Sequence, residues 1–223
     1  MKIRGLLFDF DGLLVDTESP ARRSWEEIYL EHGHELPHDQ WATRVGTLGA
    51  PFDPVGHLGE LLGSPLDREA LLERRRARQR ELISLERLRP GVEDYLDEAE
   101  RRGLVTGIVS SSSRDWIEPL LNELERAHGW HTIVTAEGDE SRAKPRPTLY
   151  LEALYALGLA PEEAIAFEDS PNGVRAAKTA GIYCVAVPNP VTATLGFEHA
   201  DLVLESFADF PLPELLQQVE RLA

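Results

Sequence analysis

Short apolar runs alternate with amphipathic helical patterns along most of the chain, and this alternation predicts a parallel β-sheet covered on both faces by helices. The first apolar run covers residues 3–9. The later runs cover residues 105–109, 131–135, 164–167, 182–187 and, more weakly, 201–204. Because ligands of such sheets bind at the carboxyl ends of the strands, the residues that end these runs are the first candidates for a functional site.

Four helical patterns lie between or beside the later runs. In each of them, apolar residues recur at i, i+3 and i+4, as on one face of an amphipathic helix. They cover residues 92–99, 116–124, 149–157 and 174–180. A glycine follows the first, third and fourth pattern, in the position where helices commonly end. Strands and helices in this order predict an α/β fold.

Residues 17–86 interrupt this order, because their pattern is purely helical. Ser19, followed by proline, predicts a helix start with Ser19 as its N-cap. A second long helix is predicted from residue 67 to about residue 87. We therefore predict a core domain of residues 1–16 and 87–223 and a helical cap domain of residues 17–86. Closure of such a cap over a site excludes water and selects the substrate.

The composition is that of an acidic globular protein, since the 223 residues carry a formal net charge of −16. This charge makes nucleic acid and anionic membranes poor partners. No apolar stretch approaches the roughly 20 residues of a membrane span, and no cleavable leader is visible, so we expect a cytoplasmic protein. We also expect a monomer. An anionic substrate would need a locally positive site, supplied by a metal ion, a lysine or backbone N–H groups.

Asp9 and Asp11 form the strongest chemical signal, because they follow the first apolar run two residues apart. Side chains at i and i+2 of an extended chain point the same way, so these carboxylates repel unless a cation lies between them or one takes a proton. Mg²⁺ is a hard cation that takes oxygen ligands of this kind. A solvated turn is the alternative for an isolated pair, but the position at the end of a buried strand favours a functional site.

Hydroxyl groups follow the second apolar run, where Ser110 and Ser111 begin a run of four serines. The Ser110 hydroxyl and the amides after it are suited to hold a phosphate oxygen at the N-terminus of the next helix. Ordinary capping of that helix, by Ser112, Ser113 or Asp115, is the alternative.

Lys144 and an acidic pair follow the next apolar runs. Lys144, immediately before a proline, is a candidate positive charge for a phosphate, with an ordinary surface lysine as the alternative. Glu168 and Asp169 end the run 164–167, and Asp169 is expected at the same level of the sheet as Asp9. There it would complete a set of carboxylates around a metal ion, unless it only caps a helix. Ser170 is predicted as the N-cap of that helix.

Four motifs of the chain resemble, in order and spacing, those of the haloacid dehalogenase superfamily. They are Asp9-x-Asp11-Gly12, Ser110, Lys144-Pro145 and Glu168-Asp169-Ser170. Residues 8–18 (FDFDGLLVDTE) and 167–173 (FEDSPNG) are similar to the β-phosphoglucomutase-like branch of that superfamily. The resemblance covers essentially the whole chain, and it implies a Rossmann-like parallel-sheet core with an inserted α-helical cap.

The resemblance implies a Mg²⁺-dependent phosphatase that acts on a small phosphorylated metabolite, such as a sugar, polyol or nucleotide phosphate. Asp9 is then the nucleophile, which forms an aspartyl-phosphate. Asp11 protonates the leaving oxygen and afterwards activates water. Phosphoryl transfer needs mainly positioning and charge neutralisation, which a metal ion and a lysine would supply in an acidic protein.

The same resemblance assigns the groups that hold the phosphate and the metal ion. Ser110, Ser111 and Lys144 are expected to hold the phosphoryl oxygens. The expected Mg²⁺ ligands are Asp9, the backbone carbonyl of Asp11, Asp169 and Glu168.

A sugar phosphomutase is the main alternative to the phosphatase. The mutase of this branch carries a histidine in the first cap helix, where this chain has Ala21. It also carries an arginine three residues past a cap glycine, where this chain has Gly49 after Gly46. The absence of both groups favours simple hydrolysis. A signalling receiver also sets aspartates, a hydroxyl and a lysine around Mg²⁺, but receivers are shorter, lack a cap and accept phosphate on a later strand.

Residues 74–76 are three consecutive arginines in the second predicted cap helix. Such a run either forms a solvated helix face or places an arginine over the site. Cap residues set the choice of substrate in the resembled family.

Overall fold

A six-stranded parallel β-sheet forms the centre of the molecule. The computed structural model describes residues 2–42, 52–126 and 128–222. The strands are β1 (Gly5–Phe8), β2 (Val105–Ser110), β3 (Thr132–Thr135), β4 (Ala164–Glu168), β5 (Tyr183–Ala186) and β6 (Leu202–Val203). Their order across the sheet is β3-β2-β1-β4-β5-β6, and every neighbouring pair is parallel. The predicted α/β fold with a Rossmann-like parallel sheet is confirmed.

Helices separate most of these strands and follow the last one. They are α1 (Glu18–Glu31), α2 (His38–Ala42), α3 (Pro54–Leu62), α4 (Arg68–Ile83), α5 (Val92–Arg102), α6 (Arg114–Glu123), α7 (Thr148–Leu157), α8 (Pro171–Thr179) and α9 (Leu212–Leu222). The four helical patterns predicted after residue 90 correspond to α5, α6, α7 and α8. Helices α2, α3 and α9 were not predicted.

The two faces of the sheet pack against different helices. Buried residues of α5, α6 and α9 form one hydrophobic cluster with Phe8 and Phe167, which point to that face. Buried residues of α7 and α8 form a second cluster with Leu7 and Ala166, which point to the other face. Neighbouring residues of β1 and β4 thus serve opposite faces, as the two-residue period of a strand requires. Both faces of the central strands are buried, which explains their continuously apolar sequences.

Helices α1 to α4 lie between β1 and α5 in the sequence, and we call them the helical insert. Helix α1 packs against α4, and the insert has its own hydrophobic cluster, with Trp25 and Tyr29 among its buried members. Val191, from the loop after β5, also belongs to this cluster. The boundaries of a separate cap domain stay a prediction.

The ends of the two predicted insert helices differ from expectation. Ser19 is not an N-cap, because α1 already begins at Glu18 and the Asp16 carboxylate accepts hydrogen bonds from the N–H groups of Glu18 (3.1 Å) and Ser19 (2.9 Å). Helix α4 ends at Ile83, before residue 87, since the chain must return to the core. Where the chain rejoins the core, Leu88 forms an antiparallel bridge with Val15. Within the described ranges, no helix is long and apolar enough to cross a membrane.

Candidate active site

Asp9 lies at the centre of the carboxyl edge of the sheet. The preceding residue, Phe8, pairs with Ile108 of β2 on one side and with Phe167 of β4 on the other. The Asp9 N–H continues this ladder by donating to the Phe167 carbonyl at 3.0 Å. The sheet therefore extends from β1 in both directions. Ligands of open α/β sheets bind at the carboxyl ends of the strands at such a point.

Three buried carboxylates meet at this edge. One oxygen each from Asp9, Glu168 and Asp169 lies within 4.8 Å of the other two. The register places Glu168, rather than Asp169, at the level of Asp9, so the expected level of Asp169 was wrong by one residue. The reason is that Glu168 still belongs to β4, and Asp169 begins the turn into α8.

Lys144 is buried among these carboxylates and is not a surface lysine. Its Nζ lies 2.5 Å from Oδ1 of Asp9 and 2.6 Å from Oε1 of Glu168. Lys144 belongs to the loop between β3 and α7. The backbone N–H of Lys144 donates to the Ser111 hydroxyl at 3.2 Å, which connects this loop to the end of β2.

Burial governs the protonation of this group. Burial raises the pKa of Asp9, and the nearby charge of Asp11 raises it further. Burial also raises the pKa of Glu168 to about 7 and that of Asp169 well above its ordinary value, to which the charge of Asp9 adds in both cases. Burial alone would lower the pKa of Lys144, but the carboxylates of Asp9 and Glu168 hold it above its ordinary value. If all three carboxylates are ionised, they carry more negative charge than one lysine compensates, so the cluster must take up protons or a cation.

The donor set fits a Mg²⁺ ion. Mg²⁺ takes oxygen ligands, and Asp9, Glu168 and Asp169 offer oxygens close together in a buried place. Among the residues the structure describes, Oε2 of Glu168 is buried and has no hydrogen-bond partner. A buried, unpaired carboxylate oxygen is costly, and a cation would satisfy it.

The Asp11 carboxylate is turned away from the other three. Its Oδ1 accepts a hydrogen bond from the indole Nε1 of Trp116 at 2.8 Å, and its Oδ2 accepts one from the Ser112 hydroxyl at 2.6 Å. Neither partner was predicted to contact the site. Ser112 was considered only as a helix cap, and Trp116 only as part of an apolar face.

The serine run builds the loop between β2 and α6. Ser110 is buried at the end of β2, and its hydroxyl accepts a hydrogen bond from the Ser112 N–H at 3.0 Å. Ser113 is the N-cap residue of α6, but its side chain makes no capping hydrogen bond. Ser110 and Ser111 line the same cavity as Asp9 and Lys144, as predicted for residues that hold phosphate. That role itself stays a prediction.

Two further side chains, those of Tyr150 and Asn189, support the carboxylates and were not predicted. The Tyr150 hydroxyl donates to Oε1 of Glu168 at 2.5 Å. The Asn189 amide donates to Oδ2 of Asp169 at 2.7 Å and to the Gly12 carbonyl at 3.3 Å. Gly12 has φ +77°, and a Cβ there would lie 2.3 Å from Oδ2 of Asp169. Only glycine therefore fits between Asp11 and the carboxylate cluster.

The Ser170 hydroxyl accepts a hydrogen bond from the Gly173 N–H at 3.2 Å, which confirms Ser170 as the N-cap of α8. Asp169 is thereby free of the capping role that was its alternative.

A cavity of about 550 Å³ opens from these groups towards the helical insert. Asp9, Asp11, Lys144 and Asp169 line its floor. The insert contributes Glu18, Ala21, Arg75, Arg76, Gln79 and Arg80. Ala21, the position of the mutase histidine, thus borders the cavity with a methyl group. Gly46 and Gly49, the positions compared with the cap glycine and the arginine of the mutase, lie outside the described residues.

Comparison with known proteins agrees with this site. Residues 3–181 match the model of the haloacid dehalogenase-like hydrolase family. YhcW of Bacillus subtilis (strain 168), provisionally named a phosphatase, is 44% identical over 217 residues, which are 97% of this chain and 98% of YhcW. Validoxylamine A 7'-phosphate phosphatase of Streptomyces hygroscopicus subsp. limoneus is 30% identical over 211 residues, 94% and 96% of the two chains.

The fold agrees with that of the β-phosphoglucomutase-like branch. A crystal structure from Thermotoga maritima, provisionally named a β-phosphoglucomutase, has a TM-score of 0.76 over 100% of both chains at 23% identity. The prediction of an enzyme of the phosphatase class is confirmed by the two relatives. The chain therefore belongs to the haloacid dehalogenase-like hydrolase family.

Proposed function

We propose that this enzyme is a Mg²⁺-dependent phosphatase that hydrolyses a small phosphorylated metabolite through an aspartyl-phosphate on Asp9. The observation that carries the proposal is the position of Asp9. It ends the central strand, lines the cavity, pairs with Lys144 and lies within the carboxylate cluster. A carboxylate nucleophile divides the hydrolysis into two easier steps.

In the first step, an Asp9 oxygen forms a bond to phosphorus while the bond from phosphorus to the ester oxygen breaks. Asp11 gives its proton to that leaving oxygen. In the second step, Asp11 takes a proton from water, the water oxygen bonds to phosphorus, and the Asp9 carboxylate leaves. The products are the alcohol and inorganic phosphate.

The other residues bind the phosphoryl group and the metal ion during both steps. Ser110, Ser111 and Lys144 bind phosphoryl oxygens in the cavity that they share with Asp9. Asp9, Glu168 and Asp169 hold the Mg²⁺ ion, together with the backbone carbonyl of Asp11. When bound, Mg²⁺ neutralises negative charge on the transferring phosphoryl group.

The substrate class is a small phosphorylated compound, such as a sugar, polyol or nucleotide phosphate. The cavity of about 550 Å³ accommodates a molecule of that size. The name of the Streptomyces relative, a phosphatase of validoxylamine A 7'-phosphate, identifies its own substrate as a phosphorylated small molecule. The cytoplasmic location and the monomeric state stay predictions.

Hydrolysis is favoured over the phosphomutase reaction by Ala21. The methyl group of Ala21 borders the cavity, where it offers neither a proton nor a hydrogen bond. A mutase would convert β-glucose 1-phosphate to the 6-phosphate without net release of phosphate. Assays of both products with this substrate distinguish the two reactions.

The decisive experiment replaces the nucleophile. Asp9→Asn should abolish release of phosphate from every phosphate ester in the presence of Mg²⁺. Asp115→Asn is the matched control, since Asp115 is exposed in the first turn of α6. Acid-quenched wild-type enzyme should carry a phosphoryl group on the peptide that contains Asp9. Undiminished turnover by Asp9→Asn would contradict the proposal.

A further inference from the structure

The arginines of α4 separate into two groups by their partners. Helix α4 contains six arginines, three of which form ion pairs on the surface of the insert. Arg68 pairs with Asp53, Arg74 with Glu31, and Arg78 with both Glu27 and Glu81. Apart from the pair of Arg78 with Glu81, which lies within α4, these ion pairs connect α4 to other parts of the insert.

Arg76 and Arg80 differ from these three. Within the described part of the chain, no carboxylate oxygen lies within 4.0 Å of either guanidinium group. Residues 43–51, which lie outside the described ranges, contain no aspartate or glutamate. In a chain with a net charge of −16, two arginines without a carboxylate partner on one helix need an explanation.

Both arginines face the active-site cavity. Arg76 and Arg80 are four residues apart, so they lie one above the other on the same side of α4. Both line the cavity whose floor holds Asp9, and Gln79 lies between them on that side. Arg75 also borders the cavity, but its guanidinium carbon lies 5.9 Å from the centroid of the Trp25 ring, so it is held against the insert.

These arginines are not needed for the phosphate that reacts. The reacting phosphate lies beside Asp9, where Lys144 and the carboxylate cluster with its metal ion provide the charge. Arg76 and Arg80 belong to the insert and line the cavity from α4, whereas Asp9 and Lys144 line it from the core. A guanidinium group presents a planar fork of donors that matches a carboxylate or a phosphate group.

We propose that the substrate carries a second anionic group, a phosphate or a carboxylate, which Arg76 and Arg80 bind while the first phosphate reacts at Asp9. This inference rests on the proposed phosphatase function and narrows its substrate class. Bisphosphorylated sugars and phosphorylated sugar acids belong to that class, and phosphates of neutral polyols do not.

Matched substrate pairs test the proposal. Glycerol 3-phosphate and 3-phosphoglycerate differ by a carboxylate, and fructose 6-phosphate and fructose 1,6-bisphosphate differ by a phosphate. The wild-type enzyme should show a higher kcat/KM for the doubly anionic member of at least one pair, by about tenfold to a hundredfold. The pair that shows the preference identifies the second group as carboxylate or phosphate. The preference should weaken as salt is added, because screening weakens exposed charge pairs.

Three variants assign the preference to the two arginines. Arg76→Gln and Arg80→Gln should each reduce the ratio of kcat/KM values within the preferred pair, mainly through KM for the doubly anionic substrate. Arg74→Gln is the matched control, because Arg74 pairs with Glu31 and does not line the cavity. It should leave that ratio unchanged.

The outcomes separate this inference from the proposed function. Equal or better hydrolysis of the singly anionic members by the wild-type enzyme overturns the inference, as does an unchanged ratio in both Gln variants. Either result leaves the phosphatase proposal standing. Failure of Asp9→Asn to abolish turnover refutes the phosphatase proposal itself.

Discussion

The indole N–H of Trp116 donates a hydrogen bond to the Asp11 carboxylate across 105 residues of sequence, at 2.8 Å. With the Ser112 hydroxyl, it fixes the orientation of the group that we propose as acid and base. The Ser110 hydroxyl adds a longer contact to the same carboxylate, at 3.5 Å. These donors define where the proton of Asp11 is given and taken.

Trp116→Phe keeps an aromatic ring and removes the hydrogen bond to Asp11. We expect kcat to fall about tenfold, since general acid–base catalysis depends on this geometry. The loss should be greater for alkyl phosphates than for p-nitrophenyl phosphate, whose leaving group needs no proton. Trp130→Phe is the control, because the Trp130 indole donates to the Arg126 carbonyl at 3.0 Å, away from the site. Equal losses with both classes of substrate would show that Trp116 has only a structural role.

Mg²⁺ should raise the thermal stability of the protein, because a ligand that binds only the folded state stabilises it by about 2.7 kcal/mol at 100 times its Kd. Asp169→Asn removes one of the three clustered carboxylates. This variant should lose most of the Mg²⁺-dependent rise in Tm, and in EDTA it should be at least as stable as the wild type, since one repulsive charge is gone.

Differential scanning fluorimetry with and without Mg²⁺ measures this response. Asp94→Asn, an exposed residue in the first turn of α5, should keep the full response. A Tm of the wild type that does not change with Mg²⁺ would argue against a metal site in this cluster.

Gly12→Ala should destabilise the protein and abolish activity. Its positive φ costs an alanine about 1–2 kcal/mol, and the new Cβ would clash with Asp169 and with the Asn189 amide, 2.5 Å away. The clash adds about 1–3 kcal/mol. Gly33→Ala separates the two causes, because Gly33 has φ +78° and no atom within 4 Å of the added Cβ. Urea unfolding of both variants gives the difference, and equal losses would exclude the clash.

Tyr150→Phe should remove one of the two donors to Oε1 of Glu168 and leave Lys144 as the other. We expect a loss of about 1–3 kcal/mol in the free energy of unfolding, together with weaker Mg²⁺ binding. Tyr95→Phe also removes a hydrogen bond, partly buried in this case, which the Tyr95 hydroxyl makes to the Phe210 carbonyl. It should cost a similar free energy of unfolding without any change in Mg²⁺ affinity. Isothermal titration with Mg²⁺ distinguishes the two variants.

The sequence alone predicted the residues that end strands. Asp9, Ser110 and Glu168 each follow or close an apolar run, and parallel strands bring their carboxyl ends to one edge. The burial of Lys144 was harder to predict, because Lys144 lies in a loop. It became evident only from the contacts of Lys144 with Asp9 and Glu168.

The supporting residues could not be predicted, because their roles depend on contacts between distant parts of the chain. Tyr150 occupies an ordinary position in the apolar pattern of α7, yet its hydroxyl reaches Glu168, 18 residues away in sequence. Asn189 lies in a loop without any periodic pattern, and its partner Asp169 is 20 residues away. A local pattern indicates which face of a helix or strand is apolar. It does not indicate which polar side chain will hydrogen-bond to a distant residue.

The helical insert shows the same limit. Helix α1 was predicted with Ser19 as its N-cap, whereas the N–H groups at the start of α1 are bound by Asp16, which lies outside the helix. The end of α4 depends on where the chain must rejoin the core at Leu88. Sequence pattern located these helices, but a local carboxylate sets the start of α1 and the return to the core sets the end of α4.

One short loop connects the chemistry to the insert. Asn189 holds the Asp169 carboxylate and the Gly12 carbonyl, and its own side-chain oxygen accepts hydrogen bonds from the N–H groups of Val191 and Thr192. Val191 packs into the hydrophobic cluster of the insert. A chimera that exchanges the insert for that of a relative would therefore have to exchange residues 189–192 as well, because a foreign insert would shift this loop and displace Asp169.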